Sequence, residues 1–351
     1  MRFADSLKHR VPWSVGHEIL HTHNLPTGRG WDHTVEKLKE LKGSEDTFTK
    51  SNIESAIKQY SEHVLSGEKT VRLFDVPDDK RKTLIDSIKS IPRPDNLFAQ
   101  AYPFILTETE LNQITQPHAH IASIQEYETG IAVVFASKRE AQFREHIQRN
   151  EFDETIAEQF PDADELIAVR TSVRQSFDIF WVPYNAENVE VRADSPIDAP
   201  SEYATLAHNH LKGQIYANIM AGTYLDEPIN LFPLIRAMYS DGNEGTVVEM
   251  AFSTQTASLK DEKMRKKRLD LRTELYHQAG AKALGNQIAP YRISVAWNRG
   301  RKKATLHPEA QLNARFYDLQ ATTPKLFSTT IRKCIDSDDY NYVLSRLKAH
   351  L

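Results

Sequence analysis

The segment from His120 to Ala136, HIASIQEYETGIAVVFA, decides the fold class, because two runs rich in Ile, Val, Phe and Tyr flank a short polar break. Such residues are typical of β-strands. The break, Glu128-Thr129-Gly130, predicts a tight hairpin between strands at 120–127 and 130–136. Strands joined in this way are antiparallel, so we expect a largely antiparallel sheet.

Outward from this hairpin, other runs of the same composition predict strands, and apolar residues at helical spacing predict helices. Strands are expected at 98–107, 166–173, 176–182, 189–193, 245–252 and 291–297. Helices are expected at 33–41, about 51–66, 79–91, 138–149, 201–220 and 260–284, followed by a last amphipathic helix capped by Asp338.

This order of elements, helices first and then mixed strands and helices, predicts an α+β fold. Pro92 and Pro94 interrupt the helical pattern and mark an expected domain boundary. We therefore expect a small helical domain over residues 1–94 and a larger mixed domain with a largely antiparallel sheet over residues 95–351.

Composition excludes several classes of protein. No run of 18 apolar residues is present among the 351 residues, so a transmembrane helix is not expected. Cys334 is the single cysteine, which excludes an intramolecular disulfide and a cysteine-based zinc site. The N-terminus lacks the apolar core of a secretory signal. These features predict a cytoplasmic protein without a membrane association and without a cofactor.

The net charge of −4 conceals two segments of opposite sign. Residues 140–202 contain 15 acidic and 5 basic side chains, and residues 255–303 contain 13 basic and 4 acidic side chains. The acidic segment is a possible contact for other protein chains, and the basic segment for phosphates. Alternatively, the two segments face each other or form ordinary solvated surfaces.

Near the N-terminus, His17-Glu18-Ile19-Leu20-His21 matches the H-E-x-x-H pattern. On a helix, His17 and His21 share one face and can bind zinc, while Glu18 activates a water molecule. A third ligand is then needed, and Glu36 or Glu40 is a candidate. This pattern is the basis of an alternative hypothesis, a zinc-dependent hydrolase.

The same region, residues 12–42, has a second pattern: a short helix with Ile19 and Leu20, the turn Leu25-Pro26-Thr27-Gly28, and a helix that closes with Val35-Glu36-Lys37-Leu38. It resembles a SAP motif, a helix–extended loop–helix unit that binds DNA. Trp31 and Thr34 depart from the family pattern, and Arg29 lies one position from its basic residue. A helix that starts after a glycine-rich turn offers free N–H groups to phosphate. Arg29, His33 and Lys37 are the expected phosphate contacts, and the alternative is a plain helical hairpin with Trp31 in the core.

A second set of phosphate contacts is expected in the basic segment 260–303. If residues 260–284 form one helix, Arg265, Arg268 and Arg272 share a face. Tyr276, Tyr291 and Trp297 are candidates for stacking on bases, although Tyr291 and Trp297 also suit a strand core. The expected contacts in this segment are Lys263, Arg265, Lys266, Lys267, Arg268, Arg272, Arg299, Arg301, Lys302 and Lys303.

Two further histidine pairs have the spacing His-x-His. His118/His120 enters a predicted strand, which places both rings on one side, whereas His208/His210 lies in a predicted helix, where the two rings point apart and are poor chelators. No additional ligand is identifiable for either pair. Phosphate-binding and hydrolase motifs such as G-x-x-x-x-G-K-[ST] and G-x-S-x-G are not found. The sequence therefore predicts a non-enzymatic protein that binds nucleic acid, with DNA expected. The alternatives are the zinc-dependent hydrolase and a protein–protein adaptor.

Overall fold

The computed structural model describes residues 2–41, 46–116, 118–185, 188–196, 201–219, 225, 227–256, 258–266, 268–285, 287–300 and 306–351. Its strands are β1 (Lys69–Asp75), β2 (His120–Tyr127), β3 (Gly130–Gln148), β4 (Glu165–Pro183), β5 (Asn188–Asp194), β6 (Thr246–Thr254), β7 (Leu259–Lys263), β8 (Ile288–Ala296), β9 (Glu309–Asn313) and β10 (Thr329–Arg332). They form one antiparallel sheet in the order β2-β3-β4-β5-β1-β10-β9-β8-β6-β7.

Thirteen α-helices lie in the described residues, and the α+β prediction is confirmed. They are α1 (Arg2–Arg10), α2 (Trp13–Thr22), α3 (Trp31–Glu40), α4 (Thr47–Ser66), α5 (Asp78–Ser90), α6 (Leu97–Ala101), α7 (Glu108–Asn112), α8 (Glu154–Gln159), α9 (Ser201–Ile219), α10 (Phe232–Ser240), α11 (Leu275–Ala283), α12 (Phe316–Leu319) and α13 (Ser337–Lys348). None of these described helices is long and apolar enough to cross a membrane.

Alternating side chains of the strands give the sheet two different faces. Phe177 and Ile179 pack on the first face with helices α1 to α4, and α10 and α13 extend this layer over the other half of the sheet. Phe180 and Val182 pack on the second face with α5 and α9. Each fully buried side chain of this size stabilises the fold by about 1.5–3 kcal/mol.

Strand β1 was not predicted, because its sequence, KTVRLFD, has a charged residue at each end and Arg72 in the middle. It nevertheless lies in the middle of the sheet, paired with β5 on one side and β10 on the other. The expected boundary at residue 94 therefore falls after a central strand of the common sheet. The N-terminal helices are a layer on that sheet and share a core with β2, β3 and β4.

Strands β3 and β4 are 19 residues each and continue well past their neighbours as a two-stranded arm with α8 near its tip. The predicted helix at 138–149 is wrong, since this segment continues β3 and pairs with β4 as far as Gln148↔Glu165. The strands predicted at 166–173 and 176–182 are one strand. Cross-strand pairing outweighs the helical spacing of the charged residues here.

Two local predictions are corrected by capping contacts. The segment 98–107, predicted as a strand, contains α6, because the Asn96 side chain accepts a hydrogen bond from the Ala99 N–H. The last helix is capped by Asp336, which accepts from the Asp339 N–H, and the predicted cap Asp338 lies inside the first turn. Tyr340, Val343, Leu344 and Leu347 form its buried face as predicted, whereas Leu351 is exposed.

Candidate nucleic-acid interface

The N-terminal unit consists of α2, a connecting segment over residues 23–30, and α3. Gly30 has a φ of 87°, in the left-handed region that glycine adopts without strain, and α3 begins directly after it. The Thr34 hydroxyl donates to the Gly30 carbonyl at 2.9 Å and accepts from the Gly28 N–H at 2.8 Å. These two bonds fix the turn against the first turn of α3.

Trp31 anchors α3 on α2. Its ring meets that of Trp13 edge to face at 5.2 Å, and its Nε1 donates to the Val11 carbonyl at 3.2 Å. The same ring fills the space beside Gly16, where a Cβ would overlap it. Trp31 is therefore a packing residue, and any ligand contacts of the unit come from its neighbours.

The three predicted contacts of the unit, Arg29, His33 and Lys37, are all exposed. Lys37 Nζ donates to the Thr27 carbonyl at 2.8 Å, and His33 Nδ1 lies 3.3 Å from the Arg29 carbonyl. Asp32, in the first turn of α3, bonds Lys8 at 2.6 Å, and this hydrogen bond lowers the pKa of Asp32. The carboxylate at this position reduces the attraction of the helix N-terminus for phosphate.

The predicted basic helix at 260–284 is wrong. The segment forms the edge strand β7, then irregular structure at the described residues 264–266 and 268–270, a single 3-10 turn at Leu271–Thr273, and the short helix α11. Asp270 ends the loop by accepting a hydrogen bond from the Arg272 N–H. We call residues 264–266 and 268–270 the basic loop.

Arg272 is held inside the structure and is not available to a ligand in the way predicted. Its Nη2 donates to the carbonyls of Glu244 at 3.0 Å and Gly245 at 2.8 Å, and to Asp270 Oδ2 at 2.6 Å. Nη1 also bonds the Asp241 carbonyl. This guanidinium fastens the basic loop to the segment that leads into β6.

Arg265, Lys266 and Arg268 of the basic loop are exposed, and the described residues provide no ion pair for any of them. Tyr276, just beyond the loop, is 72% exposed. In contrast, Lys263 lies 3.2 Å from Glu249, and Arg299 stacks on Tyr342 at 4.1 Å beside Asp339. The predicted contacts Lys267, Arg301, Lys302 and Lys303 lie outside the described residues.

The other two aromatic candidates are parts of the fold. Trp297 is buried, and its Nε1 donates to Glu244 Oε1 at 2.6 Å. Tyr291 is half-buried and meets Phe316 edge to face at 6.0 Å. Tyr276 is thus the one exposed ring of the three proposed for base stacking.

The basic loop and Arg299 leave the sheet at the same end, because β7 and β8 are the two antiparallel neighbours of β6. The N-terminal unit is on the other half of the molecule, in the layer over β2 to β4. Seven strand spacings separate β4 from β7, which corresponds to roughly 34 Å. The two predicted contact regions do not form one continuous patch.

The metal-site alternatives lack ligands in the described residues. His17 and His21 stack at 6.0 Å, but no third ligand joins them there. The described group that does come together is Asp241, Glu244 and His350. Its Glu244 carboxylate is already bonded by Trp297, Arg346 and His350, so its oxygens serve the fold.

The remaining histidine pairs differ in position. His118 and His120 line a cleft of about 420 Å³ together with Asn96, Gln214 and Asn218. His208 lies on α9 and is buried, and burial lowers its pKa. Neither pair belongs to a group of three ligands in the part of the chain described.

Composition gave no sign of a buried charge cluster beneath α1. Asp194 accepts hydrogen bonds from Lys69 at 2.8 Å and from Arg10 at 2.8 and 3.1 Å. These cations hold the pKa of Asp194 well below its usual range against the opposing effect of burial. Asp178 pairs with Arg139 on the adjoining strand pair. The cluster joins the helical layer to the sheet.

Comparison of the chain with protein-family models, with curated proteins and with solved structures found no match.

Proposed function

We propose that this protein binds nucleic acid, with DNA as the expected ligand, through the basic loop as its main contact and the N-terminal unit as a second one. The observation that carries the proposal is the state of Arg265, Lys266 and Arg268: three exposed cations in one loop without an ion pair in the described residues. Unpaired, exposed cations are the groups that neutralise phosphates and release counterions.

Tyr276 adds a second interaction to the same surface. Its exposed ring follows the basic loop directly, and an exposed aromatic ring beside cations is suited to stacking on an unpaired base. Leu275, beside it, is also exposed. This arrangement favours single-stranded or distorted DNA at the loop, whereas the N-terminal unit offers phosphate contacts alone.

The test is the salt dependence of DNA binding, measured by fluorescence anisotropy with a labelled oligonucleotide. The variant R265Q/K266Q/R268Q removes three cations that do not support the fold, so the log–log salt slope falls by about two to three. Tyr276→Ala weakens single-strand binding by about 1–3 kcal/mol, and Tyr276→Phe retains it. The affinity decreases alike for all sequences, because phosphate contacts do not distinguish bases.

The matched control is K50Q/K82Q/R93Q, which changes the net charge equally at three exposed sites away from the basic loop. This variant keeps most of the wild-type slope. If both triple variants lower the salt slope equally, the binding depends only on net charge. That result contradicts the assignment to the loop. Absence of binding at low salt by folded protein ends the proposal.

A second candidate function, protein binding, is favoured by the β3–β4 arm. Ile167 and Val169 are 50% and 57% exposed and lie on one face of the arm with Val173. Residues 149–164, around its tip, contain one arginine and six carboxylates. A second copy of the chain is a suitable partner, because its basic loop has the opposite charge and exposed Leu269 and Leu275.

Sedimentation equilibrium at low and high salt tests this arm-mediated association. A concentration-dependent dimer is expected at low salt, and I167T/V169T/V173T, which preserves β-branching, shifts it to monomer. A protein that remains monomeric at every concentration, or a dimer unaffected by the variant, contradicts this function.

A further inference from the structure

The second face of the sheet changes character at β1. Over β2 to β5 it is apolar and covered by α5 and α9. Further along, the strand register places Thr70, Thr330, Gln311 and Ser294 in one row across β1, β10, β9 and β8. The Thr70 and Thr330 hydroxyls are 3.2 Å apart. This half of the face is therefore polar.

Arg72 and Arg332 flank this row on the same face. Arg72 lies two residues beyond Thr70, and Arg332 lies two residues beyond Thr330 in the opposite direction along the sheet. The rise per residue and the spacing of neighbouring strands place the Cα atoms of Arg72 and Arg332 roughly 14 Å apart. Two long guanidinium side chains at this separation can approach a group that lies over the threonine pair.

Neither arginine has a carboxylate partner among the described residues. The Nε of each is buried without a hydrogen-bond partner. Burial alone lowers the pKa of Arg72, whereas Arg332 pairs in register with Glu309 of β9 and acts electrostatically on Glu68, which directly precedes β1. The Glu68 carboxyl has its pKa raised to about 7 by burial, and Glu309 pairs with Lys333.

Other buried cations of this protein have a carboxylate partner, which Arg72 lacks among the described residues. Arg10 and Lys69 share Asp194, Arg139 pairs with Asp178, and Arg192 pairs with Glu190. A partly buried cation without an anion is costly, and a polar group left unsatisfied in a folded protein requires an explanation. A bound anion would supply such a partner.

His208 closes one side of this region from α9. Burial and then the charge of Arg72 lower the pKa of His208, and its ring lies beside the Thr70 backbone. Its lowered pKa keeps the ring uncharged at neutral pH, so it adds no further positive charge.

We propose that the polar half of the second sheet face binds a phosphate or phosphate ester between Arg72 and Arg332, over the Thr70–Thr330 pair. Guanidinium groups recognise such oxyanions through paired N–H donors, and the Thr330 hydroxyl offers another donor. This site is distinct from the basic loop and does not depend on the proposed function.

The experiment is a thermal-unfolding titration with inorganic phosphate, against sodium chloride at equal ionic strength, supported by calorimetric binding. Wild-type Tm rises with phosphate in a saturable way, since a ligand of the native state stabilises it. Arg72→Met lowers phosphate affinity at least tenfold and abolishes the rise. In the absence of phosphate its Tm is equal to or above that of wild type, because an unpaired charge has been removed.

Arg93→Met, an exposed arginine on another surface, keeps the phosphate response. Arg332→Met provides an independent variant if Arg72→Met does not fold, and it also lowers the affinity for phosphate.

R265Q/K266Q/R268Q retains phosphate binding even where it loses DNA binding. A failure of the phosphate-site proposal can therefore be distinguished from a failure of the DNA-binding proposal. A short oligonucleotide that competes with phosphate in the loop variant identifies a nucleic-acid backbone as the source, and lack of competition identifies a free phosphate compound. No saturable phosphate effect on wild-type protein, or a phosphate response unchanged in both arginine variants, overturns the proposal.

Discussion

Arg10, in the first helix, donates two hydrogen bonds to Asp194 at the end of β5, 184 residues further along the chain. Both side chains are nearly buried, and Lys69 bonds the same carboxylate. Asp194→Asn leaves two buried cations without their anion, so we expect a loss of about 3–5 kcal/mol in the free energy of unfolding. Urea unfolding at pH 7 measures it. Asp79→Asn, at an exposed position, is the control and changes stability little.

The pH dependence of this cluster has a definite sign. The pKa of Asp194 is depressed in the folded state, so its stabilising contribution is present above the pKa of the unfolded carboxyl. It decreases as the pH falls below about 3.9, the ordinary value for aspartate. Wild-type protein therefore loses stability in this acid range more steeply than Asp194→Asn, and equal slopes contradict the assignment.

Glu68 makes the stability of the fold depend on pH in the opposite direction. Burial raises its pKa to about 7, and the described residues leave its Oε2 without a hydrogen-bond partner. The folded protein binds this proton more tightly than the unfolded chain, so stability decreases as the pH rises from about 4.3 to 7. Glu68→Gln removes this dependence and is more stable than wild type at pH 8, by up to about 3 kcal/mol. Urea unfolding at pH 5 and pH 8 tests it, and a variant less stable at both values refutes the interpretation.

Arg272 and Arg268 form a matched pair for separating structure from binding. Arg272→Gln loses bonds to the carbonyls around residue 244, and we expect a loss of about 2–4 kcal/mol in stability. Arg268→Gln has no such bonds in the described structure, and it reduces DNA affinity with stability changed by less than about 0.5 kcal/mol. Denaturation and anisotropy on the two proteins measure both effects. The reverse pattern contradicts the division made here.

A secondary-structure element could be predicted from the sequence where neighbouring residues determine it. The hairpin at 120–136 was predicted correctly, because strand residues and a turn follow one another directly. Strand β1 was missed, because Lys69 reads as an exposed residue, and its partner Asp194 is 125 residues away. The segment 138–149 has helical spacing, but pairing with β4 decides its conformation.

In the candidate site, too, the sequence revealed features set by neighbouring residues and missed those that depend on the fold. Composition located the exposed cations of the basic loop, since clustered arginines and lysines are visible in the sequence. It did not reveal that Arg272 is a structural residue, because its acceptors include main-chain carbonyls. Arg72 and Arg332 were also not recognised, because their proximity depends on the pairing of β1 with β10.

The separation between the basic loop and the N-terminal unit leads to a prediction about DNA length. Strands β4 and β7, which belong to the halves of the sheet that carry the two regions, are roughly 34 Å apart along the sheet, about one turn of B-form DNA, and each base pair adds about 3.4 Å. A duplex of about 7 base pairs is therefore too short to reach both regions, whereas one of about 20 base pairs can. Arg29→Gln, which removes an exposed cation of the N-terminal unit, weakens binding of the long duplex and lowers its salt slope by about one. For the short duplex, bound mainly at the basic loop, the same substitution has little effect, and Arg268→Gln weakens both. Anisotropy with the two duplexes at matched salt measures these four affinities. An equal effect of Arg29→Gln on both lengths shows that the regions do not engage one duplex together.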